Sequence, residues 1–269
     1  MRMLNSPMMY LCFRGVEILL GWSLALQTVE FLRLQKDTSE SGLWAWSIQR
    51  FDIPQTWIRY LLDGIYSTHF YRFHLWVRLF AAGWLLIHGG SLLLLIFLFI
   101  GQILILIRWR GAFNGGSDFM TLVALTGLLI AQSLSWLGAP QLGLKAALWY
   151  ITIQSVTSYF MSGWVKTLRP EWRNGAAMTV FLNAAIYGPL SSRHVLRSPW
   201  VTLVASWAFI LWEGLFPLAL IHPVVALMFC SIATLFHFLV FWFFGLNRFF
   251  WAWLVTFPAI FWCSSQVLI

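Results

Sequence analysis

The chain has 269 residues, 60% of them hydrophobic and only 10% charged, with a formal net charge of +8. A soluble domain carries about 25% charged residues. A chain with a mean hydropathy of +0.78 has too much apolar surface for a water-soluble globule, and its long unbroken apolar runs exclude a transmembrane barrel of alternating strands.

The expectation is an all-α, polytopic integral membrane helical bundle of about eight transmembrane helices, built as one domain over residues 1–269. In that setting the positive charge points to cytoplasmic loops and anionic headgroups, not to nucleic acid. Many of the 18 tryptophans fit an interfacial belt. Cys12, Cys230 and Cys263 lie within or at the ends of apolar runs with no CxxC or Cys/His spacing, so neither a disulfide framework nor a metal site is predicted.

The first span is predicted at about 8–29 and holds Arg14 and Glu17 at i and i+3, spaced to pair on one face. No small-residue cleavage site follows this run, so no signal peptide is predicted. Residues 30–74 form the longest polar connection, with Trp44, Trp46, Trp57, Tyr60, Tyr66, Phe70 and Tyr71 placed to lie on the membrane interface or to cap a site. The apolar stretch 75–107 is too long for one helix. Gly89-Gly90-Ser91 divides it into two spans, 75–88 and 91–107. Turn chemistry at Asn114-Gly115-Gly116 precedes a fourth span, 118–136, with Ser117 as its expected N-cap. The fifth span, 143–165, delivers Lys166. The run Met178–Ile186 is too short to cross, and the basic stretch from Pro189 to Pro199 leads to a sixth span at 199–221 containing Glu213. A seventh at 223–245 contains His237, and an eighth is expected at 249–268. Eight spans put both termini on one side. The basic loops, including Asn247-Arg248, then fall on the other side, cytoplasmic by the positive-inside rule.

On a helix, Ser155, Tyr159, Ser162 and Lys166 fall at i, i+4, i+7 and i+11 and make one narrow polar stripe. Such a stripe in a membrane helix faces other helices or a cavity rather than lipid. Lys166, Glu213 and His237 are the candidate chemical groups. A lysine at the edge of a dry cavity is a candidate general base. Glu213 is its candidate partner or proton relay, and His237 is a second relay. The structural alternative is that these groups pair with one another and hold the bundle in register. No HExxH, GxSxG, P-loop or dinucleotide glycine motif stands at a fitting position.

The stretch Tyr159-Phe-Met-Ser-Gly163-Trp-Val-Lys166, followed by Trp172 and Gly175, resembles a motif of the HTTM (horizontally transferred transmembrane) family. That family includes the membrane domain of vitamin K-dependent γ-glutamyl carboxylase and small bacterial members similar to sporulation-delaying protein B. Phe113-Asn114-Gly-Gly-Ser117-Asp118, Glu213-Gly-Leu-Phe-Pro217 and Phe236-His237 through Gly245 and Phe249 resemble its other segments, in order. The resemblance implies a multi-pass protein, as in a bacterial inner membrane. It implies base chemistry at Lys166 and a lipid-soluble quinone or reduced vitamin K-like cofactor. It also implies assistance in maturing a secreted peptide or toxin. Tyr159, Ser162, Asn114 and Trp172 are then expected to bind substrate. The turn histidine of the carboxylase aligns with Gly116. A non-enzymatic accessory subunit, packed on other membrane subunits, is the alternative.

Overall fold

The computed structural model describes residues 5–110, 114–184, 190–191 and 194–267. Among these residues it is helical throughout, with no strand. The order is α1 (Asn5–Arg33), α2 (Trp46–Gln49), α3 (Thr56–Ile65), α4 (Thr68–His88), α5 (Leu92–Arg108), α6 (Gly115–Trp136) and α7 (Pro140–Leu168). It continues with α8 (Pro170–Arg173), α9 (Ala176–Asn183), α10 (Pro199–Gly214), α11 (Pro223–Phe244), α12 (Asn247–Leu254) and α13 (Phe257–Ser264). Among the described residues, three stretches are long and apolar enough to cross a membrane: Pro7–Arg33, Gly115–Trp136 and Pro223–Phe244.

Local chemistry sets several helix starts. Proline stands in the first turn of α7, α10 and α11, where its missing N–H costs nothing. Ser91 caps α5 by accepting from the Leu94 N–H. The cap of α6 is Asn114, whose side chain accepts from the N–H groups of Gly116 and Ser117 at 3.0 and 3.2 Å. This corrects the expected Ser117 cap. The Asn114 carboxamide sits one turn earlier and reaches both free N–H groups, while Ser117 is already inside the helix and buried.

Other boundaries differ from the sequence expectation. The connection expected at 30–74 is shorter than expected, because α1 continues to Arg33 and α4 begins at Thr68. The helix expected as the sixth span stops at Gly214 and passes into a 3₁₀ turn, Phe216–Leu220, where Pro217 removes a backbone donor. The expected eighth span is two short helices, α12 and α13, broken at Val255–Thr256 with proline in the first turn of α13. The short run expected at 178–186 forms α9 as far as Asn183, and its end lies outside the described residues.

In the bundle, α7 packs on α6, α10 and α13, while α1 packs on α4, α12 and α13. The Arg14–Glu17 pair forms at 3.0 Å. Arg14 also donates to the Leu85 and Leu86 carbonyls at the end of α4, and Glu17 accepts from the Gly90 N–H. The pair therefore satisfies free backbone groups at a helix turn.

A second polar network is buried where α1, α4, α5, α6 and α12 meet. Arg78, fully buried, donates to Gln27 and Gln102 at 2.6 Å each and to Thr28. Gln27 donates onward to Asp118 at 3.3 Å. Asp118 faces Arg248, which pairs with Glu30 at 3.4 Å. No motif surrounds Arg78. Its only sequence signal is a cation inside an apolar run, which needs partners wherever it is buried.

Candidate functional site

The C-terminal half of α7 forms the back wall of a cavity of about 630 Å³. Lys166 lies there because α7 runs unbroken from Pro140 to Leu168. Its ammonium donates to Ser162 Oγ, one turn earlier, at 2.5 Å and to the Glu213 carboxylate on α10. The Glu213 side chain is 4% exposed and that of Lys166 15%, so the pair is largely desolvated, and its mutual hydrogen bond matters more than at a surface. The Trp172 ring lies 5.0 Å from the Lys166 nitrogen, a cation–π contact. Trp172 is held by its own backbone, whose carbonyl accepts from Ser206 on α10.

These helices approach closely because of one glycine. A Cβ at Gly163 would lie 2.4 Å from the Gly214 backbone nitrogen and 2.8 Å from its Cα. Only a glycine lets the backbones of α7 and α10 touch here. That contact places Lys166, three residues on, beside Glu213.

Deeper in the pocket the Tyr159 hydroxyl meets His237 Nε2 at 2.6 Å. Both groups are sealed in aromatic surfaces. Tyr159 stacks on Phe216 at 3.9 Å and 13°, and His237 stacks on Trp253 at 5.1 Å and 14°. Among the described residues, Tyr159 has no other hydrogen-bond partner. The arrangement that leaves fewest buried groups unmade therefore has the hydroxyl donating to Nε2, with the ring proton on Nδ1.

Among the sequence-predicted residues, Lys166, Glu213, His237, Tyr159, Ser162 and Trp172 all line this one cavity. Asn114 does not; its carboxamide faces its own helix as the α6 cap. Ser155 is buried and bonds back to the Ile151 carbonyl. Gly116 does line the cavity, and a Cβ there would fall 2.2 Å from the Phe249 ring. The space in front of Gly116 is thus occupied by a phenylalanine from α12.

The aromatic lining, including Phe209, Phe236 and Phe249, was not legible in sequence. In an apolar helix, a ring facing a cavity and a ring facing lipid look the same. No protein-family model, no curated protein and no solved structure matches the chain.

Proposed function

We propose that this chain is a multi-pass integral membrane protein of the HTTM type, with about eight membrane segments. In this reading its aromatic cavity holds a lipid-soluble molecule, or part of a maturing secreted peptide, against the Lys166–Glu213 pair. The observation that carries the reading is the convergence of Lys166, Glu213 and Ser162 with the Tyr159–His237 pair on one apolar cavity. Transfer of one proton from the Lys166 ammonium to Glu213 leaves a neutral amine and a carboxylic acid. The amine lone pair then accepts a proton from a bound molecule, and Glu213 keeps the first. A quinol of the vitamin K type, expected from the resemblance, is one molecule with such a proton. A side chain larger than glycine at position 116 would have to displace Phe249, so in this chain proton handling rests on Lys166, Glu213, Tyr159 and His237.

Native mass spectrometry of the detergent-purified chain, with co-extracted molecules retained, tests this. A small molecule or peptide bound at one per chain is expected, with its mass changed in Lys166→Met because it is no longer converted. The same molecule at the same mass in both proteins would remove Lys166 as a base.

One observation favours a second reading. Lys166 is already neutralised by Glu213, as in a purely structural pair that registers α7 on α10. A stable multi-subunit membrane complex carrying no small molecule would support this accessory-subunit role.

A further inference from the structure

We propose that the cavity opens sideways into the bilayer through a slot between α10 and α11, and that it admits a neutral lipid-soluble molecule rather than a charged one. This rests on the membrane reading above and adds its route and substrate class.

Both helices line the cavity, yet among the described residues they scarcely pack on each other. α10 packs on α7, α8 and α9, while α11 packs on α12, α13 and the 3₁₀ turn that precedes it. The two are joined at that turn, Phe216–Leu220. What bridges them is rings. Phe209 of α10 meets Phe236 of α11 at 5.0 Å, and Phe181 of α9 meets Phe244 of α11 at 6.2 Å. Side-chain rings turn on a far shorter timescale than packed helices separate, so ring contacts form a seam that opens without unfolding either helix.

The chemistry of the slot selects its occupant. α11 contains no Asp, Glu, Lys or Arg, and α10 contains only Glu213. α11 is also long and apolar enough to cross a membrane. A charged headgroup passing between them would lose its hydration with no counter-charge to meet. Inside, Lys166 is already matched by Glu213, so the cavity offers no net charge to an anion. A neutral molecule with one or two polar atoms fits both the path and the end point. Leu239 of α11 lines the cavity and is 40% exposed.

The test uses the full chain in phosphatidylcholine vesicles and two photoreactive diazirine lipids, a neutral diacylglycerol and an anionic phosphatidylglycerol, with labelled residues read by peptide mass spectrometry. The neutral probe is expected to label Phe209, Phe236 and Val240 at least five-fold more than the anionic probe does. Both probes should label the outer α11 residues Leu227 and Leu235 equally. Ala205→Trp, which adds an indole to the α10 side of the slot, is expected to remove the inner labels and leave the outer ones. Outer labels without inner ones overturn the slot while leaving the membrane reading intact. Absence of label at Leu227 and Leu235 sinks the membrane reading itself. Equal inner labelling by both probes refutes the selection for neutral molecules. If Ala205→Trp does not fold, the comparison of the two probes on the unaltered chain still decides the question. Inner labelling that survives Lys166→Met shows that entry stands even where the proposed chemistry fails.

Discussion

Replacing Gly163 with alanine tests whether the α7–α10 contact builds the site. The new Cβ would sit 2.4 Å from Gly214 N, 2.8 Å from Gly214 Cα and 2.9 Å from Glu213 C. Ordinary contact begins at 3.4 Å, so the helices must part by 3.4 minus 2.4, about 1 Å. All three obstacles are backbone atoms, which cannot rotate away as a side-chain tip can. Overpacking of this kind costs about 1–3 kcal/mol, against a helix-propensity gain of up to about 1 kcal/mol for replacing glycine with alanine. With the full propensity gain the expected result is a net loss of up to about 2 kcal/mol, read as a lower unfolding midpoint in detergent. A weakened Lys166–Glu213 contact should accompany it, since both residues flank the clash. Gly214→Ala is the matched control. A Cβ there meets nothing within 4 Å, so it should be neutral or mildly stabilising, although it stands at the same crossing. If Gly163→Ala is as stable as Gly214→Ala, the close approach of the two backbones is not what seats the pair.

The ion pair itself makes a second prediction. Glu213→Ala strands a largely buried ammonium and is expected to cost about 3–5 kcal/mol, whereas the double change Lys166→Met with Glu213→Leu should regain most of that loss. An equal loss in single and double variants, measured by detergent unfolding, would refute the pairing. A third prediction concerns the connection between α1 and α4, outside the membrane-crossing helices. Asp63 accepts from Arg50 at 2.6 and 3.0 Å and from the Trp46 indole at 2.8 Å. The Arg50 hydrogen bond holds its carboxyl below the ordinary carboxylate range of about 3.9. A lowered folded value means that this contribution is fully present above about pH 4. It is lost as the pH falls below the ordinary value and through the folded one. Amide protection of residues 46–65, corrected for intrinsic exchange, should therefore hold from neutral pH to about pH 4 and fall below it. Asp63→Asn should show weak protection without that transition. A transition in Asp63→Asn identical to that of the parent would locate the titration elsewhere.

The sequence by itself determined the helical class and which residues of the candidate site share a helix face. A chain with so few charges needs an apolar surrounding, and continuous apolar runs can satisfy their backbone there only as helices. The stripe through Tyr159, Ser162 and Lys166 was legible because helical spacing alone puts those residues on one face. Glu213 and His237 were legible because an ionisable group within an apolar helix has few reasons to be there.

Tertiary structure decided the rest. Whether Lys166 stood free or paired depended on how near α10 comes, and that distance is set by Gly163 against Gly214, glycines 51 residues apart in the chain. Asn114 looked like a ligand-binding residue because polar turn residues suit binding and capping equally, and only the cap geometry separated the two roles. The break between α12 and α13 and the early end of α10 at Gly214 arise from prolines whose effect depends on the neighbouring packing. Which of the many phenylalanines face the cavity was likewise settled only by packing. Hydropathy measures how much a side chain avoids water, and it carries no information on whether its neighbour is lipid, protein or an empty cavity.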